Sequence, residues 1–190
     1  MKIILASASP RRRHLLELIG LDFAVEVSEF EEDNTKDMRP EELAMVQAMN
    51  KAIDVSKRIA SENAVVIGAD TIVVIDGRVF GKPQDYHDAV QMLTVLAGRE
   101  HIVISGVAVV KGKQVVSGYS TTSVKFRPLS LAQIKRYVDT GEPLDKAGAY
   151  AIQGRGALLV EGITGCYNNV VGLPLVKLSE LLEQVGVQLL

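Results

Sequence analysis

The sequence predicts an α/β or mixed α+β fold in a single domain spanning residues 1–190, and three features point to it. Apolar, β-branched runs at 64–67, 72–75 and 102–110 have the length and composition of strands. Segments with apolar residues at helical spacing fall between those runs and do not form a block of their own. Gly, Pro and Asp punctuate the junctions, with no internal repeat or low-complexity tract. At 190 residues and 47% hydrophobic content the chain can bury a sizeable core.

Leu5 and its neighbours read as a short buried strand, broken by Ser7-Ala8-Ser9-Pro10, after which a helix runs to about Ile19 and ends at Gly20. A strand over 23–27 leads into an acidic loop at 28–38. A helix follows over 40–60, with apolar Leu43, Val46, Ala48 and Ile53. The runs 64–67 and 72–75 flank Gly68-Ala69-Asp70-Thr71, and Asp76-Gly77 turns the chain into a hairpin with Arg78-Val79-Phe80. An amphipathic helix with Ala89, Met92, Leu93 and Leu96 precedes strands at 102–110 and 114–126, joined at Lys111-Gly112-Lys113. A helix at 131–138, a segment at 141–156 rich in Gly and charge, a strand at 157–160 and a terminal helix at 175–185 complete the order.

Composition removes several function classes. A net charge of −2 does not supply the broad basic face that binds nucleic acid, and 5% aromatic content with no Trp offers no stacking platform. Any anionic ligand is therefore small, and the placement of a few cations decides whether one binds. No stretch approaches the roughly 18 apolar residues of a membrane span, and the apolar start Ile3-Ile4-Leu5 is cut off at once, unlike a signal peptide. A cytoplasmic protein with no membrane partner is expected. Cys166, the single cysteine, has no disulfide partner and no Cys or His at zinc-ligand spacing, so it reads as a small packed residue.

Three sets of residues stand out. With Ser9 as N-cap and Pro10 first in the helix, Arg11-Arg12-Arg13 occupy a first turn where the helix dipole disfavours cations, unless a phosphate sits there and accepts from the guanidinium and backbone N–H groups. The alternative is a solvated charge run. Asp70 lies between two apolar strand segments, where an unpaired carboxylate is costly. It must meet a cation, a metal, backbone donors in a bulge, or water. Glu31 or Glu32 from the acidic loop is a possible companion, and two carboxylates with triphosphate oxygens suit magnesium or manganese. Lys51, Lys82 and Lys146 each neighbour Ala, Gly or Pro, which allows a ligand close approach; a solvated lysine is the alternative at each. Gln153 carries donors and an acceptor able to pair with N3–H and O4 of uracil or thymine, or to bridge structurally. The histidines His14, His87 and His101 read as packing or surface residues, and the glycines match no Walker loop.

Taken together, Leu5-Ala6-Ser7-Ala8-Ser9-Pro10-Arg11-Arg12, Gly68-Ala69-Asp70-Thr71, Gly81-Lys82-Pro83, Asp145-Lys146-Ala147-Gly148-Ala149-Tyr150 with Ile152-Gln153-Gly154, and Val171-Gly172-Leu173-Pro174 closely resemble the Maf family of nucleotide pyrophosphatases. The five blocks occur in the family's order from end to end. The resemblance implies an elongated mixed sheet flanked by helices, similar to inosine triphosphate pyrophosphatases, with a nucleotide cleft between two lobes. It also implies a hydrolase dependent on a divalent cation, magnesium or manganese, that splits a nucleoside triphosphate into monophosphate and pyrophosphate. Carried over by position, Asp70 is general base or metal ligand, Ser7, Ser9, Arg11 and Arg12 line the phosphate site, and Glu32, Lys51, Lys82 and Lys146 complete the polar cleft. The blocks look like the branch acting on dTTP and UTP, in which Arg11, Thr71 and Gln153 bear on specificity; modified pyrimidines such as 5-methyl-UTP and pseudo-UTP would fit the same pocket. A sister branch acting on 7-methyl-GTP carries Asp-Gln where this chain has Asp70-Thr71. The rival reading is a nucleotide-responsive regulator of septum formation without important turnover, and a homodimer is the default assembly.

Overall fold

A computed structural model describes residues 1–190. The elements are β1 (Lys2–Leu5), α1 (Pro10–Leu18), β2 (Ala24–Val25), α2 (Pro40–Ile59), β3 (Ala64–Ile75), β4 (Arg78–Phe80), α3 (Tyr86–Leu96), β5 (Glu100–Lys111), β6 (Gln114–Phe126), α4 (Leu131–Val138), β7 (Val160–Gly165), α5 (Tyr167–Val171) and α6 (Leu175–Gln184). The seven strands form one sheet in the order β2-β1-β3-β5-β6-β7, with β4 paired to β3. β1 runs parallel to β2 and β3, whereas β4 is antiparallel to β3 and β7 to β6. The sheet is therefore mixed, and with its helices it is the α/β architecture the sequence predicts. No helix is long and apolar enough to cross a membrane.

The chain divides into two compact units. One comprises Met1–Asp70, Ser105–Ser120 and Gly172–Leu190; the other comprises Thr71–Ile104 and Thr121–Val171. Three of the divisions fall inside β3, β5 and β6, so Asp70 and Thr71, neighbours on β3, belong to different units.

In the first unit, α2 opens on Pro40, with Glu41 and Glu42 in its first turn and Lys57 and Arg58 in its last, the charge order that a helix dipole favours. Its buried stripe is Leu43, Ala44, Gln47, Ala48, Lys51, Ala52 and Val55, while Val46 and Ile53, expected in the core, are only partly buried. The alanines in that stripe let the helix backbone press onto the sheet. A Cβ on Gly68 would sit 2.2 Å from the Ala48 carbonyl oxygen and 2.9 Å from Ala52 Cβ, and one on Gly106 would sit 2.2 Å from the Ala44 carbonyl oxygen. Only glycine admits α2 at this distance. Ile4, Ala6, Val66, Ala108 and Val110 complete the core beneath it.

In the second unit, Leu93, Leu96, Val103, Phe126, Ile134 and Tyr137 are among the buried core residues. The Asp85 side chain caps α3, accepting from the Asp88 N–H, and Ser130 and Gln133 cap α4 reciprocally. His101 is buried at 1% exposure; its Nε2 lies 2.7 Å from the Tyr150 hydroxyl, and its ring is edge-on to Phe126 and Tyr150. Its Nδ1 has no hydrogen-bond partner. Burial, opposed by Glu100, pushes the imidazole down to about 4, so His101 is a packing residue held neutral.

Three local expectations are corrected. The strand expected at 157–160 lies at Val160–Gly165, because a 3-10 turn occupies Gly154–Leu158, where Glu142 accepts the Arg155 and Gly156 N–H groups and Gly154 takes φ +66°. β2 is confined to Ala24–Val25 within the longer run expected there, since only those residues pair with β1. α5 has no counterpart among the elements expected from periodicity. It is a single short helix whose buried Asn169 donates to the Val103 carbonyl and to Thr122 Oγ1, partners far away in sequence.

This packing can be tested at two positions. Gly68→Ala forces backbone against backbone and lowers unfolding free energy by about 1–3 kcal/mol, whereas Gly162→Ala, with nothing within 4 Å, stays within about 0.5 kcal/mol of the parent; urea titrations of both measure this. For His101, the unfolded chain binds the proton below about 6.5 and the folded chain only near about 4. Its contribution is thus fully present above the first value and disappears as pH falls toward the second, a loss of about 3 kcal/mol. Urea titrations at pH 7 and pH 4.5 should show a smaller acid loss in His101→Gln than in the parent.

Candidate active site

The phosphate-type block lies at the end of β1 and the start of α1. Ser7 Oγ accepts from the Ser9 N–H at 3.2 Å and from Arg12 Nη1 at 3.1 Å, while Ser9, the N-cap of α1, accepts from the Arg12 N–H at 3.5 Å. Arg12 Nε donates to the Gly172 carbonyl at 2.8 Å, which fixes the guanidinium. Burial lowers its pKa, against the fields of Asp70 and Glu32, which raise it, while Arg11 lowers it further. Arg12 is thus a tethered cation facing two carboxylates. Arg13 instead pairs with Glu17 on the exposed side of the helix, as the solvated-charge alternative has it. Arg11 is half-buried in the same first turn.

Asp70, at 2% exposure, lies two residues beyond Gly68 on β3. Alternation along a strand puts the two on one face, the face that α2 covers. Asp70 Oδ1 accepts from Lys51 Nζ at 2.6 Å and Oδ2 from Gln47 Nε2 at 3.3 Å. Its partners are side chains from α2, not backbone donors in a bulge. The same Lys51 ammonium donates to Glu32 Oε1 at 2.7 Å, bridging the two acids. Glu32, though itself exposed, is therefore the loop acid joined to Asp70 through Lys51.

Ser7, Ser9, Arg12, Glu32, Lys51 and Asp70 thus assemble in the first unit. The donor set also suits a hard divalent cation in part. Two carboxylates are present, each of the two Asp70 oxygens takes one hydrogen bond, and no third Asp, Glu, His or Cys completes a metal cluster. A cation held here would draw its remaining oxygen ligands from phosphate and water. Sequence reasoning missed Gln47. The available signal was its position, one helical turn before Lys51 in a stripe otherwise made of Leu, Ala and Val.

Thr71, Lys82, Lys146 and Gln153 lie in the second unit. The Gly148 N–H donates to the Gly81 carbonyl at 3.0 Å, joining the Lys82 turn to the Lys146 turn. Lys82 is exposed, and Lys146 Nζ donates to the Glu142 carbonyl at 2.7 Å and to the Asp145 carboxylate. Glu142 organises the turn after Gln153: its carboxylate accepts from the Tyr137 hydroxyl at 2.9 Å, the Gly156 N–H at 3.0 Å and the Arg155 N–H at 3.1 Å. Burial alone would raise its pKa, but these donors, with Lys146, hold it below the usual carboxylate range. Gln153 enters this turn half-buried, with φ −98° and ψ 169°.

Comparison with known proteins gives the family. The family model described as Maf-like protein matches residues 2–185. A dTTP/UTP pyrophosphatase of Acetivibrio thermocellus is 49% identical over 197 residues, covering 100% of this chain and 98% of its own. Another dTTP/UTP pyrophosphatase, from Symbiobacterium thermophilum, is 50% identical over 185 residues, covering 97% of this chain and 94% of its own. Among solved structures, the Staphylococcus aureus Ham1 protein aligns with a TM-score of 0.43 and 14% identity over 66% of this chain and 72% of its own, too slight a likeness to support fold or function. With a family model spanning nearly the whole sequence and relatives about half identical to it over at least 94% of their own lengths, the chain belongs to the Maf-like protein family.

Proposed function

We propose that this chain hydrolyses nucleoside triphosphates, dTTP and UTP foremost, to the nucleoside monophosphate and pyrophosphate. One observation carries the reading: the Asp70–Lys51–Glu32 bridge beside the tethered Arg12, in a chain about half identical over its length to proteins named dTTP/UTP pyrophosphatase. A buried carboxylate held by an ammonium and an amide, next to a guanidinium on the first turn of a helix, has the parts that phosphoanhydride hydrolysis needs.

In this mechanism a water oxygen forms a bond to the α-phosphorus, and its proton passes to the Asp70 carboxylate. The bond from the α-phosphorus to the oxygen bridging the α- and β-phosphates breaks. That oxygen leaves with the electron pair as part of pyrophosphate, and Asp70 returns the proton to solvent. Arg11, Arg12, Lys82 and Lys146 neutralise charge on the phosphates, with Ser7 and Ser9 shaping the turn that receives them. Lys51 holds the Asp70 carboxylate in place between turnovers. Glu32 and Asp70 would hold a magnesium or manganese ion, which would supply further charge neutralisation. Gln153, with Thr71, reads the base: its amide offers a donor to O4 and an acceptor to N3–H of uracil or thymine. Since C5 makes no part of that pairing, 5-methyl-UTP and pseudo-UTP are accepted with dTTP and UTP.

Two variants test these roles. Asp70→Asn keeps the shape and removes the charge, so kcat for dTTP falls about 10²–10⁴-fold with the products unchanged in kind; chromatography of the reaction mixture measures it, and near-normal turnover would remove Asp70 from the mechanism. Gln153→Ala lowers the kcat/KM preference for UTP over CTP about tenfold, as expected for lost hydrogen-bond readout. Equal losses on both nucleotides would deny it the specificity role.

A further inference from the structure

Gln47 is a polar side chain at 1% exposure on the apolar stripe of α2, and such a group is costly to bury unless its amide is satisfied. Here the satisfaction is directional. Oε1 accepts from the Asp33 N–H at 3.0 Å, and Nε2 donates to Asn34 Oδ1 at 2.8 Å and to Asp70 Oδ2 at 3.3 Å. Turning the amide over would set its oxygen against two acceptors and its nitrogen against a donor, so the surroundings dictate one orientation. The Asp33 carboxylate folds back onto the Thr35 N–H and hydroxyl, at 3.0 and 2.6 Å, which leaves the Asp33 N–H to Gln47.

The geometry points to Gln47 as a positioning residue: its amide ties the loop that carries Glu32 to the Asp70 carboxylate, holding both acids in one arrangement around Lys51. The Asp33 N–H it grips belongs to the peptide unit that starts at Glu32, whose side chain reaches Lys51 at 2.7 Å. Lys51 lies four residues after Gln47 on α2, so the amide and the ammonium project from one face of one helix, one setting the loop and the other its acid. Lys51 fixes one oxygen of Asp70 and Gln47 the other, which sets the plane of the carboxylate. An apolar residue of similar size would fill the space yet leave the Asp33 N–H, the Asn34 side-chain carbonyl and Asp70 Oδ2 without this partner. The effect on turnover rests on the hydrolase reading above; the effect on the loop does not.

The full chain carrying Gln47→Met and, separately, Gln47→Glu tests this. In Gln47→Met, amide hydrogen exchange at Asp33 accelerates about tenfold while the amides of β3 keep their rates. With dTTP, kcat falls about tenfold and KM stays within about twofold, because the groups that hold the phosphates are untouched. In Gln47→Glu a second carboxylate enters among the charged groups facing this position: Asp70 from β3, Glu32 and Asp33 from the loop, Lys51 on α2, and Arg12 from α1. The substituted carboxylate still accepts from the Asp33 N–H but puts an oxygen where the amide donated to Asp70 Oδ2 and Asn34 Oδ1, so Asp33 keeps its exchange rate while kcat falls about tenfold. Unchanged Asp33 exchange and unchanged kcat in Gln47→Met would overturn the inference. Should that variant not fold, unchanged kcat in Gln47→Glu would overturn it equally. Absence of dTTP turnover in the unaltered chain would sink the hydrolase reading alone, and the Asp33 exchange comparison would still decide the role of Gln47.

Discussion

A lysine ammonium taken out of water must be paired, and Lys51, with its side chain 9% exposed, is paired twice, with Asp70 and with Glu32. Such an arrangement is an uneconomical way to hold a core together. Desolvating charges offsets most of their attraction, and apolar residues of similar volume would serve stability as well or better. Removing Lys51 is a different matter, because the buried Asp70 carboxylate then loses its ammonium, at a cost of about 3–5 kcal/mol. The cluster is therefore hard to lose at its centre yet unnecessary for folding as such. Around it Arg12 adds a second cation, tethered to Ser7 and to the Gly172 carbonyl.

That pairing depends on how closely α2 approaches β3. The Lys51 and Gln47 contacts to Asp70 need the helix backbone near the strand, and the glycines at 68 and 106 with the alanines at 44, 48 and 52 create that closeness. A bulkier residue at any of these positions would act on the site without touching it, by lifting the helix. The order of causes runs from small residues on two facing elements, to a short helix-to-sheet distance, to a bridge between two acids.

Much of this was legible in the sequence, and the remainder was hidden for a common reason. Strand and helix periodicity located most elements, because hydrophobic period and caps are local signals; Ser9, Pro10 and the Asp76-Gly77 turn could be read in place. Asp70 stood out because a charge inside an apolar strand is conspicuous without knowing its partner. The three lysines looked alike, each beside small residues, and only the fold separates a buried Lys51 from an exposed Lys82 and a Lys146 bound to the Glu142 carbonyl. Glu31 and Glu32 are adjacent in a loop without periodicity, so nothing local tells which one is joined to Lys51. Gln47 and Glu142 went unnoticed for the same cause: each works through hydrogen bonds to residues 13 to 23 positions away for the one and 5 to 14 for the other, and no window of sequence displays such a network. The displaced strand at Val160–Gly165 is a consequence of the second omission, since Glu142 draws the residues before it into a 3-10 turn.

The proposed reaction brings water to the α-phosphorus. Hydrolysis of dTTP in water enriched in heavy oxygen, with mass analysis of both products, decides whether it does. Heavy oxygen in the nucleoside monophosphate, with unlabelled pyrophosphate, is the expected result. Heavy oxygen in pyrophosphate would mean attack at the β-phosphorus, and heavy orthophosphate beside a nucleoside diphosphate would mean attack at the γ-phosphorus; either would contradict it.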